Sequence, residues 1–85
     1  MKILIFSVKD IVSQRFGPLF EQPNVAAAKR AVKAMIKADA NAKLADFELR
    51  LYGSRDMITG EITLEQGDHS YFFDEEELDA VLGDA

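Results

Sequence analysis

The chain has 85 residues, enough for one domain with one hydrophobic core. Hydrophobic residues make up 48% of the sequence, which excludes a disordered tail, and the absence of cysteine excludes disulfides and thiolate chemistry. The apolar run at residues 3–6 is far too short for a signal sequence or a membrane span. We therefore expect a soluble single domain over residues 1–85 that does not insert into a membrane.

The net charge of −5 is divided unevenly along the chain. Up to Lys37 there are seven cationic residues and two carboxylates, whereas the remainder has three cationic residues and thirteen carboxylates. Charge separated in this way can steer a charged partner or a second copy of the chain. An ordinary solvated surface, with its positive and negative residues in different secondary-structure elements, explains the same distribution. The sequence leaves both interpretations open.

The first predicted element is a strand over Met1–Val8, because this stretch is rich in Ile, Phe and Val. Both of its faces are apolar, including the one that carries Ile3 and Ile5. Such a strand lies within a sheet covered on both sides, or its second face contacts another subunit. Residues 9–20 show no clean period and contain a Gly-Pro pair, so we expect a loop that its aromatic side chains anchor to the core.

The main helix is predicted over Val25–Ala38, with Asn24 as its N-cap and alanine supplying helix propensity. At about 100° per residue, five apolar side chains fall on one face and form the expected core stripe. These residues are Val25, Ala28, Val32, Met35 and Ile36.

A second face of this helix is cationic. Charges at helical spacing can follow the phosphates of a single-stranded nucleic acid, while aromatic residues such as Phe16, Phe20 or Tyr52 stack on its bases. Solvation, or pairing with the acidic half of another copy, explains the same charges. The residues predicted to contact nucleic acid are Lys29, Arg30, Lys33, Lys37 and Arg15.

The remaining arc of the helix is a band of alanines. They are either good exposed helix formers or a surface that another backbone can approach closely. The second interpretation predicts a homodimer. Its predicted self-association residues are Ile3 and Ile5 on the strand and Ala27, Ala31 and Ala34 on the helix.

The most clearly patterned stretch is a β-hairpin over Asp46–Glu65. In its first strand, Phe47–Tyr52, apolar and polar residues alternate, which predicts one buried and one wet face. In the partner strand, Glu61–Glu65, the same alternation predicts that Ile62 and Leu64 face inward. The period is that of an antiparallel pair with one face on the core.

The hairpin loop and the C-terminus carry turn and capping signals. Gly60 can adopt the positive φ that the loop requires, and Asp56 can accept hydrogen bonds from backbone amides two or three residues further on. Asp74 is placed to cap a short final helix that ends at Gly83. The element order β-α-β-β-α predicts an α+β fold in which a small antiparallel or mixed three-stranded sheet is packed by one main helix, with a short C-terminal helix.

No residue pattern indicates catalysis, and we expect a non-enzymatic protein without a metal or cofactor. His69 has no neighbouring nucleophile at a suitable spacing. The acidic run at residues 74–79 lacks the alternating ligands and central glycine of a calcium loop, and helix capping accounts for it. The glycines are spaced as turn residues and form no phosphate-binding loop.

Four stretches of the sequence carry a family resemblance. KILIFSVKD, FGPLF, NVAAAKRAVKAMI and DFELRLYGSRDMITGEI together resemble the small nonstructural protein of gokushovirus-type microviruses, which are icosahedral single-stranded DNA phages. The resemblance covers nearly the whole chain. Its most specific part is the hairpin, with Leu-Tyr-Gly followed by Thr-Gly-Glu-Ile, although Arg55-Asp56-Met57 stands where many relatives have an acidic and aromatic pair.

The resemblance implies an accessory protein that acts in phage genome replication or packaging, in the host bacterial cytoplasm. Its implied partners are single-stranded DNA and phage replication or capsid proteins. A different class of function is also open, namely a self-associating module that engages a capsid or host protein without contacting nucleic acid.

Overall fold

The computed structural model describes residues 1–67 and 69–73. These residues form one sheet of six strands and a single α-helix, joined by short turns and one 3-10 turn. In chain order the elements are β1 (Lys2–Asp10), β2 (Arg15–Phe16), β3 (Phe20–Gln22), α1 (Val25–Lys37), the 3-10 turn (Leu44–Asp46), β4 (Phe47–Asp56), β5 (Ile62–Leu64) and β6 (Ser70–Phe72).

The predicted fold class is therefore wrong. The described chain is mostly β, with a six-stranded sheet curled into a half-barrel, rather than a three-stranded sheet packed by a main helix. The extra strand β2 lies in the stretch predicted as a loop, and β3 begins at its last residue. They contain two and three residues, too few to show an alternating pattern, and pairing with β1 holds them extended. The predicted C-terminal helix from Asp74 lies outside the described residues.

The sheet is built around the antiparallel pair of β1 and β4. These strands pair from Lys2 opposite Asp56 to Asp10 opposite Phe47, with one irregularity at which Tyr52 is an extra residue of β4. The far edge of β1 pairs with β2 and β3, and the far edge of β4 pairs with β5 and β6. The sheet is thus four strands wide, and each of its outer rows is divided into two short strands.

One face of the sheet packs against α1, and we call it the helix face. Phe6 and Leu49 point from β1 and β4 into this core and are completely buried. They belong to a cluster of buried residues, some of which come from α1. The cluster consists of Phe6, Ala28, Val32, Ile36, Leu49 and Phe73. Because successive residues of a strand alternate between faces, their neighbours Ser7 and Glu48 belong to the opposite face, which we call the open face.

The helix begins where the sequence predicts. The Asn24 side chain accepts a hydrogen bond of 2.7 Å from the Ala27 amide, as an N-cap does. The core stripe is partly wrong, since Met35 is 64% exposed and Lys33 is buried. The buried surface of α1 is rotated toward the side that carries Lys33, an orientation set by packing against the sheet and not by the helix itself.

The hairpin turn is confirmed in detail. The Asp56 carboxylate accepts hydrogen bonds of 2.8 Å from the Ile58 amide and 3.0 Å from the Thr59 amide, and Gly60 has a φ of 77°. These bonds lower the pKa of Asp56, with that from Thr59 as the largest cause.

The predicted buried face is confirmed for β4, where Leu49 lies in the core and Phe47 and Leu51 pack against it, and it is wrong for β5. Ile62 and Leu64 are exposed, because the register places them opposite Arg55 and Gly53, on the open face. The predicted wet face of β4 is also partly covered, since Glu48 is buried. The alternation of the sequence identifies two faces but does not show what lies over each.

Candidate functional site

The structure separates the helix cations that the sequence groups together. Lys29 lies with its ammonium 5.8 Å from the centre of the Tyr71 ring, and Lys33 is buried at 3% exposure. Arg30 and Lys37 are exposed. Only part of the predicted row therefore faces solvent.

Arg15 lies on β2, away from that row. It is exposed and lines a cleft of about 610 Å³ between α1 and the hairpin of β1 and β2. The cleft is mostly apolar, with Phe20 from β3 and Phe47 from β4 in its lining, and Ala31 and Met35 form its helical side. A concave apolar surface with a charged rim suits binding of an apolar group.

A second group of cations and aromatic rings lies on the open face. Phe16 of β2 pairs with Lys9 of β1, and the Lys9 ammonium lies 5.6 Å from the centre of the Phe16 ring. The Arg50 guanidinium lies 5.1 Å from the same ring, and Tyr52 meets Phe16 edge-on with the ring centres 6.4 Å apart. We call Lys9, Phe16, Arg50 and Tyr52 the aromatic cluster.

The strands explain why these side chains meet. Lys9 and Arg50 lie on the two central strands, which pair so that Ser7 stands opposite Arg50 and Lys9 opposite Glu48. Residues in register on paired strands share a face, so both cations project from the open face. The extra residue Tyr52 brings its ring beside Phe16.

The electrostatics of the cluster leave it net cationic. The two cations, Lys9 and Arg50, are accompanied by the Glu48 carboxylate, which accepts a hydrogen bond of 2.8 Å from the Ser70 hydroxyl. The Arg50 guanidinium lies 3.5 Å from the same Glu48 oxygen. Glu48 therefore positions Arg50 beside Phe16 without covering the ring, which is 42% exposed.

A third cation of the open face is committed to an ion pair. Arg55 donates to both carboxylate oxygens of Glu21, at 2.6 and 3.0 Å. This hydrogen-bonded pair lowers the pKa of Glu21 and raises that of Arg55. The pair joins β3 to β4 across β1, so we assign it a structural role.

The residues that could support metal binding or catalysis are dispersed. No group of three or more potential metal ligands occurs within residues 1–67 and 69–73. The His69 ring nitrogen lies 2.9 Å from the Gln66 carbonyl, a contact within its own turn. No helix in the described part of the chain is long and apolar enough to cross a membrane.

The predicted self-association residues are also dispersed. Ile5 is buried, and Ile3, Ala27 and Ala31 are half-buried. Ala34 is exposed on α1. Ile3 and Ile5 project from the open face, whereas the three alanines lie on the helix, so the two sets do not form one continuous surface.

Sequence reasoning named Phe16 and Tyr52 as stacking residues but missed Lys9 and Arg50. A signal for Arg50 was present, because Arg50 and Tyr52 are two apart in a strand pattern. No local signal places Lys9 beside them, since that contact depends on the pairing of β1 with β2 and β4.

The family of the chain is identified by sequence comparison. The family model described as Phage ORF5 protein matches residues 3–70, which is most of the chain. The chain therefore belongs to the Phage ORF5 protein family. No curated protein and no solved structure matches it.

Proposed function

We propose that this protein is a non-enzymatic accessory protein of a microvirus that binds single-stranded DNA during genome replication or packaging in the host bacterial cytoplasm. Its membership of a phage protein family supports a role in infection. The resemblance to the gokushovirus nonstructural protein supports the narrower assignment. The observation that carries DNA binding is the aromatic cluster, in which an exposed ring is flanked by two cations.

The chemistry of the cluster suits a flexible single strand. A base can stack on the Phe16 or Tyr52 ring, a contact worth about 1–3 kcal/mol per base in proteins that bind single strands. Lys9 and Arg50 flank the Phe16 ring, so they place positive charge beside the phosphate of a base that stacks there. Stacking of this kind needs unpaired bases, so duplex DNA is a poorer ligand.

The charge of the described chain is compatible with this ligand despite the acidic composition. Residues 1–67 and 69–73 carry ten cationic side chains and eight carboxylates, and the other seven carboxylates lie at residue 68 and in residues 74–85. The exposed cation Arg15 provides a further position for phosphate. A polyanion can therefore approach the body of the protein locally.

The test is fluorescence anisotropy with a labelled thymidine oligonucleotide at low salt. We expect salt-sensitive binding that Phe16→Ala weakens and that Lys9→Glu with Arg50→Glu nearly abolishes. The matched variant Arg30→Glu with Lys37→Glu has the same change of net charge on α1. If both double variants lose the same affinity for the oligonucleotide, the binding is a general charge effect and the proposed site is wrong. Failure of the native protein to bind would also overturn the proposal.

A second candidate function is self-association, as an interaction module that engages a capsid or host protein. The observation in its favour is the apolar cleft, because Ala31 lines it and the neighbouring Met35 is 64% exposed. Ala31→Glu introduces a charge there and should convert a dimer to a monomer in sedimentation experiments. A native protein that sediments as a monomer at every concentration would contradict this function.

A further inference from the structure

In the part of the chain that the structure describes, the edge strand β5 has a row of backbone hydrogen-bonding groups that no other strand pairs with. In the hairpin, the Asp56 amide donates to the Glu61 carbonyl and the Glu65 amide donates to the Tyr52 carbonyl, both at 2.8 Å. Hydrogen-bonded and non-bonded pairs alternate along an antiparallel ladder. Ile62 and Leu64 therefore stand in non-bonded pairs, and their N–H and C=O groups point away from β4.

The side chains of β5 give this edge two chemically different sides. Ile62 and Leu64 project from the open face and are 58% and 70% exposed. Thr63 projects to the other side, between the exposed carboxylates Glu61 and Glu65. Among the described residues, β5 pairs with β4 alone. The edge thus offers backbone groups, an apolar strip and two negative charges.

The charges distinguish between possible partners. If two copies paired through β5 in antiparallel register about Thr63, Glu61 of each would stand opposite Glu65 of the other. Like charges directly opposite each other are destabilising, and charged residues on an edge oppose self-pairing. A basic strand instead meets both glutamates with opposite charge.

We propose that β5 binds an extended basic segment of another protein by adding it to the sheet as a further strand. In register, the residues opposite Ile62 and Leu64 share the open face and must be apolar. Those opposite Glu61 and Glu65 share the other side and must be cationic. The partner therefore has the pattern cation, apolar, any residue, apolar, cation. Because this pattern is symmetric, it fits in either strand direction.

The probe is a labelled peptide of sequence Lys-Val-Thr-Val-Lys, with Glu-Val-Thr-Val-Glu as its control. Binding is measured by fluorescence anisotropy with the full chain. We expect the basic peptide to bind to the native protein. The double variant Glu61→Lys with Glu65→Lys should lower the affinity for this peptide about tenfold. The acidic run near the C-terminus could attract a basic peptide without any strand addition. The matched variant Glu75→Lys with Glu76→Lys changes the net charge equally and should change affinity less than about twofold.

Two further measurements test strand addition itself. Leu64→Pro removes the outward N–H without removing a hydrogen bond to β4. It should therefore weaken binding of the peptide more than Leu64→Ala does. If Leu64→Pro fails to fold, hydrogen exchange of the native protein still gives an answer, because bound peptide should slow exchange of the Ile62 and Leu64 amides. Equal losses from the two charge variants, equal binding of the acidic peptide, or unchanged exchange at both amides would overturn the proposal.

Discussion

On β1 and β4, residues that face α1 alternate with residues that face away from it, and the two sets have different chemistry. On the helix face, Phe6 and Leu49 are apolar and completely buried. On the open face, Lys9 and Arg50 flank the partly exposed ring of Phe16. Packing against the helix accounts for the first set. It does not account for the second, so the open face is the candidate functional surface.

The largest difference in stability between the two faces is expected for two phenylalanines, Phe6 on the helix face and Phe16 on the open face. Phe6→Ala should lower the free energy of unfolding by about 3–5 kcal/mol, because it leaves a cavity in the only core of the described chain. Phe16→Ala should cost less than about 1 kcal/mol, since its ring is partly solvated. Urea denaturation measures both. Similar losses would mean that the open face is also a core surface.

A smaller effect is expected where β5 approaches β4. A Cβ added at Gly53 would collide with the Thr63 carbonyl oxygen and lie 2.9 Å from the Leu64 Cα, so Gly53→Ala must displace β5 at a cost of about 1–3 kcal/mol. Gly17→Ala is the control, because its nearest contact would be the Val8 carbonyl oxygen at an ordinary 3.6 Å. Urea denaturation that shows no difference between these variants would contradict the close packing of β5.

The buried Lys33 of α1 is expected to give an effect of the opposite sign. Within the described residues, the Lys33 ammonium is buried without a hydrogen-bond partner. Lys33→Met removes that cost and should stabilise the protein by about 1 kcal/mol, whereas the exposed Lys37→Met should change stability by less than about 0.5 kcal/mol. Thermal or urea unfolding gives the values. Destabilisation by Lys33→Met would show that the buried ammonium has a favourable role.

The smallest effect is a pH dependence at the hairpin turn, away from both central surfaces. The backbone bonds from Thr59 and Ile58 hold the pKa of Asp56 below its usual 3.8. A lowered folded pKa adds stability above the unfolded pKa, and this contribution disappears as the pH falls through the folded value. Asp56→Asn should therefore be less stable than the native protein near neutral pH, and the difference should shrink below about pH 4. An undiminished difference in acid would mean that the carboxylate charge is irrelevant.

The parts of the fold that could be predicted are those that local chemistry determines. Asn24 caps the helix and Asp56 organises the turn through contacts with residues two or three positions away. The strands β2 and β3 could not be predicted because their conformation depends on distant β1. The orientation of α1 likewise depends on the sheet, so Met35 was wrongly placed in the core and Lys33 outside it.

The candidate site follows the same rule. Phe16 and Tyr52 could be named from residue type, as rings able to stack on bases. Their meeting requires three strands and the extra residue in β4, so neither the contact nor the role of Lys9 is visible in the sequence. The position of Arg50, two residues before Tyr52, is the one local signal. The row of helix cations is visible in the sequence, but packing buries Lys33 and places Lys29 over Tyr71.

The most direct test of DNA binding at the open face is an NMR titration of the ¹⁵N-labelled protein with a thymidine oligonucleotide. We expect the largest chemical-shift changes at Lys9, Phe16, Arg50 and Tyr52, and we expect them to diminish as salt is added. Changes confined to Arg30 and Lys37 would instead place the DNA on the helix. That result, or a spectrum that the oligonucleotide leaves unchanged, would contradict the proposed role of the open face.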